Sequence, residues 1–130
     1  MELAGRFGFA VTGIDPVPRN IEVFRQRLDE AAKGEPGFRD LVRFEHGAGE
    51  AVPLPDASVG LIWCREVLVL VDRLDSVFAE CRRVLRPAGR MLIYQNCGTD
   101  RLEPREARLL GVLGKIRSMA DRRRYWRRWL

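Results

Sequence analysis

Several features that mark particular protein classes are scarce or missing in this sequence of 130 residues. There is one histidine, His46, so a catalytic system of the Ser-His-Asp or Cys-His kind must use it or not exist. The cysteines are Cys64, Cys81 and Cys97. Their odd number and the lack of a Cys-x-x-Cys pair argue against a disulfide framework and a zinc site, so we predict no metal. We interpret each as a small buried apolar residue.

Long hydrophobic runs are also missing. No apolar run approaches the roughly 18 residues that a membrane-spanning helix needs. The N-terminus has neither the basic start nor the apolar core of a signal peptide. We therefore expect a protein without a transmembrane segment, located in the cytoplasm, and its length is typical of one domain.

The net charge of +5 is concentrated at one end of the sequence. Residues 115–130 hold seven basic residues and one acid, so the first 114 residues carry about −1. In residues 122–130 cations are mixed with aromatics. Such a tail can bind nucleic acid through phosphate contacts and stacking, or lie on an anionic membrane surface. The alternative is a final helix whose apolar stripe packs on the rest of the protein.

Apolar segments of strand and helix character alternate along the first 94 residues. The predicted strands cover 9–15, 41–45, 59–64 and 90–94, and the predicted helices cover 20–33 and 73–86. Asn20 and Asp72 are the candidate N-caps of the two helices. A further helix is predicted after Pro104, a residue type favoured at the first helical position. Alternating strands and helices indicate an α/β fold with a parallel sheet.

Three passages together carry a resemblance to a known family. They are Val-Thr-Gly-Ile-Asp-Pro at 11–16, Gly-Ala-Gly-Glu-Ala-Val-Pro-Leu-Pro-Asp-Ala-Ser-Val-Gly-Leu-Ile at 47–62, and Glu-Cys-Arg-Arg-Val-Leu-Arg-Pro-Ala-Gly-Arg-Met-Leu-Ile at 80–93. In order and spacing they resemble the class I S-adenosylmethionine-dependent methyltransferase domain, in its small-molecule branch called type 11. The resemblance covers about residues 3–97 and implies a Rossmann-like parallel sheet with flanking helices.

The resemblance also implies a nucleoside site. Asp15 ends a strand, where an acid can accept hydrogen bonds from both ribose hydroxyls. The alternative is an acid that only shapes the turn before Pro16. Ala48 and Gly49 lie in the loop that meets adenine in the family. The family often has an acid there, so Ala48 restricts the expected contacts to the backbone.

A second set of implied site residues follows the strand at 59–64. Cys64 and Arg65 stand where the family's strand passes the methionine part of the cofactor, at the end of a sheet where ligands bind. Glu66 is the candidate general base that removes a proton from the methyl acceptor. The alternative is that Arg65 and Glu66 form a solvated pair of opposite charge.

The family's first strand, its Gly-x-Gly-x-Gly loop and its last two strands have no counterpart in this sequence. Residues 1–7 resemble the end of the missing first helix. In the family's fold the missing strand lies centrally, so its loss leaves two edges whose unmet backbone groups each cost about 1–3 kcal/mol. We therefore expect a fragment or a late start codon, or an oligomer that covers the missing strand, and weak binding of S-adenosylmethionine at best.

These patterns predict two regions: a partial methyltransferase domain over 1–100 and a helical, basic tail over 101–130. The expected function is methyl transfer from S-adenosylmethionine to a small-molecule acceptor. The alternative is a non-catalytic module that uses the basic aromatic tail to bind nucleic acid or an anionic surface. A nicotinamide-binding domain shares the acid at the strand end but explains the passage at 80–93 less well.

Overall fold

A computed structural model describes residues 2–95 of the chain. Cys97, the predicted helix after Pro104 and the basic tail lie outside the described residues. The elements are, in order, α1 (Glu2–Phe7), β1 (Val11–Asp15), α2 (Pro18–Gly34), α3 (Phe38–Leu41), β2 (Val42–His46), β3 (Val59–Arg65), a 3-10 turn (Leu68–Leu70), α4 (Leu74–Val84) and β4 (Leu85–Tyr94). The predicted alternation of strands and helices is confirmed.

The four strands form two parallel pairs. β1 pairs with β2 from Val11 opposite Val42 to Asp15 opposite His46. β3 pairs with β4, with Trp63 opposite Leu92. Within residues 2–95 no strand joins β1 to β3. This arrangement agrees with the expectation that the family's central strand is missing from the sequence.

Both predicted helix caps are wrong. α2 begins at Pro18, with Val17 in the capping position, because the fixed φ of proline suits the first turn and its missing N–H is not needed there. The Asn20 side chain lies inside the first turn and its amide donates to Asp15. α4 begins at Leu74, so the residue in the capping position is Arg73, one place after the predicted one.

β4 begins earlier than predicted. α4 ends at Val84 and the chain enters the sheet at once, with Leu85 opposite Val59. The register then shifts, and Arg90 lies opposite Leu61. Residues 86–89 therefore bulge from the ladder, and Ala88 takes a left-handed φ of 63° within this bulge.

Each strand pair has its own buried side chains. Ile21 and Ala32 of α2 are buried with Val42 of β2. Ile21 is one of the apolar residues that recur at helical spacing in the sequence, together with Phe24, Leu28 and Ala31, which are half-buried. The second cluster lies between α4 and the β3–β4 pair; its buried members are Cys64, Leu68, Val77, Phe78 and Cys81. Burial of Cys64 and Cys81 confirms their interpretation as core residues. Burial also raises the pKa of both thiols, that of Cys81 to about 11.

The opposite face of the β3–β4 pair is exposed in the described part of the chain. Leu61, Trp63, Leu92 and Tyr94 are between 38% and 56% exposed. The nearly continuous apolar run at 59–64 predicts a strand covered on both faces. This prediction is wrong for residues 2–95, because α4 covers only the face that carries Ile62 and Cys64. No helix in this part of the chain is long and apolar enough to cross a membrane.

Candidate functional site

Asp15 and the loop after β2 meet at one end of the β1–β2 pair. The parallel register places Asp15 opposite His46, the last residue of β2. The next residue, Gly47, donates its N–H to the Asp15 carbonyl oxygen at 3.1 Å. The predicted ribose acid and the predicted adenine loop are thus joined directly at the carboxyl end of the strands, the edge at which α/β sheets bind ligands.

The Asp15 carboxylate is half-buried and also organises the turn into α2. Its Oδ1 accepts the Val17 N–H at 2.8 Å and the Asn20 amide at 3.1 Å. Its Oδ2 accepts the same amide at 3.2 Å. The turn-shaping role considered above is therefore present. A carboxylate has about four acceptor positions. These contacts occupy three of them, so one position, on Oδ2, is left for a hydroxyl donor.

The Gly47–Ala51 part of the loop is tightly folded. The Ala51 N–H donates to the Ala48 oxygen at 3.1 Å, and the two residues form an antiparallel bridge. A Cβ at Gly49 would lie 3.2 Å from Val77 Cγ2 on α4. The predicted adenine loop therefore rests against α4 as well as against the end of β1.

The rest of the loop is held by an ion pair on α4. Arg83 donates from Nε and Nη2 to the two oxygens of Glu80, each at 2.8 Å. The same guanidinium donates to the backbone oxygens of Val52 and Leu54, each at 2.9 Å, and to Asp56 Oδ1 at 2.7 Å. Glu80 Oε2 in turn accepts the Val52 N–H at 2.9 Å. α4 and the loop are thus connected by hydrogen bonds in both directions, since Arg83 donates to the loop and Glu80 accepts from it.

This ion pair keeps both partners charged. The hydrogen bond from Arg83, followed by that from the Val52 N–H, lowers the pKa of Glu80 to about 2. Hydrogen bonds to Glu80 and then to Asp56 raise the pKa of Arg83. The contacts with the loop are therefore charge-assisted, the stronger class of hydrogen bond.

The three predicted site residues at the end of β3 do not share one surface. The Cys64 thiol is buried in the core, so only the backbone of Cys64 is left to face a ligand. Arg65 is exposed, with its guanidinium carbon 5.8 Å from the centre of the Tyr94 ring. Glu66 has a left-handed φ of 55°, and its Oε2 accepts the Gln95 amide at 2.6 Å. The base role of Glu66 stays a prediction.

The sequence of residues 1–93 matches the family described as the methyltransferase domain. The chain belongs to this family. Methyltransferase GfsG of Streptomyces halstedii is 33% identical over 91 residues, which cover 70% of this chain and 31% of that protein. Sterol 24-C-methyltransferase ERG6B of Gibberella zeae is 35% identical over 83 residues, which cover 60% of this chain and 22% of that protein. The matches thus span a third or less of these relatives.

Solved structures of methyltransferases share the fold. A geranyl diphosphate methyltransferase in complex with geranyl diphosphate and sinefungin superposes with a TM-score of 0.75 at 28% identity, covering 95% of this chain and 44% of that one. A geranyl diphosphate C-methyltransferase from Streptomyces coelicolor, with S-adenosyl-L-homocysteine bound, gives 0.72 at 21% identity, over 90% and 42% of the two chains. The Rossmann-like α/β fold predicted from the sequence is confirmed.

Sequence reasoning missed Glu80 and Arg83 as part of the site. Both stand in the passage at 80–93, three residues apart, a spacing that places them side by side on a helix. That spacing predicts the pair itself. Their contacts with Val52, Leu54 and Asp56 span 27 to 31 residues of sequence and follow only from the fold.

Proposed function

We propose that this chain is the part of an S-adenosylmethionine-dependent methyltransferase that binds the nucleoside end of the cofactor. The observation that carries the proposal is the junction of Asp15 with the Gly47 N–H at the carboxyl end of β1 and β2. Membership of the methyltransferase domain family supports the activity. The names of the relatives support S-adenosylmethionine as the methyl donor and a small molecule as the acceptor.

The described residues fit the nucleoside half of such a cofactor. Asp15 would accept a hydrogen bond from one ribose hydroxyl at the acceptor position left on Oδ2, and from the second hydroxyl where that hydroxyl replaces the Asn20 amide on the same oxygen. The backbone at Ala48 and Gly49 would meet the adenine ring. When bound, the cofactor supplies a methyl group already activated on a sulfonium. The contribution of the protein is then mainly to hold the acceptor in line, since positioning alone can provide a large part of a rate enhancement.

The end of β3 would form the part of the cofactor site next to the methionine end of the cofactor. The Cys64 backbone and the exposed Arg65 would lie beside the methionine part of the cofactor, and Glu66 would take a proton from acceptors that carry one. The sequence has no Gly-x-Gly-x-Gly loop for the methionine part. We therefore expect the nucleoside contacts of this chain to be measurable as weak binding.

Replacing Asp15 with asparagine tests the proposal. Asparagine still accepts the Val17 N–H at its Oδ1, but it loses the charge and has a donor in place of the Oδ2 acceptor that would hold the ribose. We expect binding of S-adenosylhomocysteine to weaken by about 10- to 100-fold, since hydrogen bonds to charged groups contribute about 1.5–3 kcal/mol. Ligand-observed NMR at millimolar ligand concentrations detects weak binding by the unaltered chain and its loss in the variant.

Asp40→Asn is the matched control. Asp40 is exposed in α3, just before β2 begins, and so lies at the opposite end of the strands from Asp15. We expect this variant to bind as the unaltered chain does. Equal losses in the two variants, or no binding by the unaltered chain at millimolar ligand, would contradict the proposal.

A further inference from the structure

The last turns of α4 form an anchor for the loop between β2 and β3. We infer that Arg83 and Glu80 are positioning residues for the nucleoside site: they hold residues 47–56 in the conformation that presents the Ala48–Gly49 backbone beside Asp15. This inference rests on the proposed function, because the ligand positioned by the loop is the nucleoside part of the cofactor.

The hydrogen bonds fix the loop at both ends. At its start, the Gly47 N–H is held by the Asp15 carbonyl oxygen at 3.1 Å. Toward its other end, Arg83 and Glu80 bind the carbonyl and the N–H of Val52 at 2.9 Å each. Ala48 and Gly49 lie between these two attachments. Any movement of the Val52 attachment is therefore transmitted to the residues that would meet adenine.

The composition of the loop explains why an anchor is needed. Residues 47–51 are two glycines, two alanines and one glutamate, and none of them is buried. Fixing the backbone of each residue costs conformational entropy, so an unanchored loop of this kind would lose much of its affinity in ordering itself around a ligand. An anchor that orders the loop before binding removes that loss.

The geometry requires an arginine. The guanidinium uses Nε, Nη1 and Nη2 at once, toward Glu80, the backbone oxygens of the loop and Asp56. Its planar fork offers five N–H donors in fixed directions, whereas the lysine ammonium is a compact point charge with three. Arg83→Lys therefore keeps the charge of the anchor and removes its fork, which separates positioning from simple electrostatic attraction.

The test measures S-adenosylhomocysteine affinity of the full chain as Arg83→Lys and as Glu80→Gln. We expect each variant to bind at least about tenfold more weakly, because the ligand would then have to order the loop as it binds. Amide hydrogen exchange at Val52 should accelerate in both variants, since its acceptor is weakened or displaced. Arg82→Lys is the matched control, since Arg82 is an exposed neighbour on the same helix, and it should bind normally.

Phe78→Leu separates positioning from lost stability. Phe78 lies in the α4 core, so this variant lowers stability while Glu80 and Arg83 stay unaltered, and it should keep its affinity at temperatures where it is folded. Normal binding by Arg83→Lys, or an equal loss in Phe78→Leu, would overturn the inference. If Asp15→Asn weakens binding while Arg83→Lys does not, only the anchor is wrong. If Asp15→Asn has no effect, the proposed function itself fails.

Discussion

Replacing Phe78 with alanine is expected to lower the free energy of unfolding by about 3–5 kcal/mol, the usual cost of removing a buried phenylalanine ring. Phe78 is 9% exposed and belongs to the cluster that joins α4 to the β3–β4 pair. A domain of this size has a total stability of only about 5–15 kcal/mol. Urea denaturation followed by circular dichroism measures the change.

Phe7→Ala is the matched control for this prediction. It removes the same ring from α1, where Phe7 is 65% exposed and contacts the Phe9 ring with the centroids 6.0 Å apart. We expect a loss of no more than about 1 kcal/mol, the range of an exposed aromatic contact. Similar losses for the two variants would show that the α4 cluster does not hold the domain together.

A second large effect is expected from Gly47→Ala. A Cβ at Gly47 would lie 2.7 Å from Pro53 Cδ, 2.9 Å from Pro53 Cγ and 3.3 Å from Ile14 Cγ2. The proline ring is part of the backbone and cannot rotate away, so the loop itself must shift. Overpacking of this kind costs about 1–3 kcal/mol. We expect this loss in urea denaturation, together with weaker binding of S-adenosylhomocysteine, because the shift begins next to Asp15.

Gly60→Ala provides the comparison, since a Cβ at Gly60 in β3 meets no atom within 4 Å. We expect its stability to change by no more than about 0.5–1 kcal/mol, the size of the backbone entropy effect. Its affinity for the ligand should be unchanged. A Gly60→Ala variant as impaired as Gly47→Ala would mean that steric contact with Pro53 is not the cause.

The parts of the fold that depend on local periodicity could be predicted from the sequence. Ile21 recurs with other apolar residues at helical spacing, and it is buried in α2 as expected. Val77, Phe78 and Cys81 do the same in α4. Such stripes are visible in sequence because the helical period fixes which side chains share a face.

Features that depend on partners distant in sequence could not be predicted in this way. β4 begins at Leu85 because Val59, 26 residues earlier, pairs with it. A tertiary contact therefore sets the start of β4. The predicted start of α2 is wrong for a local reason: Pro18 begins the helix, and the Asn20 amide binds Asp15, five residues earlier. These contacts changed the length of β4 and the role of Asn20.

The candidate site likewise combines residues that the sequence predicts with contacts that only the fold reveals. The resemblance to methyltransferases selected Asp15, Ala48 and Gly49, and the structure brings them to one end of the strands. Cys64 lies with Ile62 on the face covered by α4, which agrees with its interpretation as a buried residue and leaves only its backbone for the site. The anchoring role of Arg83 depends on loop contacts that no local pattern encodes.

The most direct test of the central claim is a map of amide chemical shifts on the full chain titrated with S-adenosylhomocysteine. We expect the largest changes at Asp15, Val17 and Gly47–Gly49, at the carboxyl end of β1 and β2. Changes confined to the groove between α4 and β4, lined by Phe78, Arg86 and Gly89, would contradict it. The absence of any change at millimolar ligand would contradict it as well.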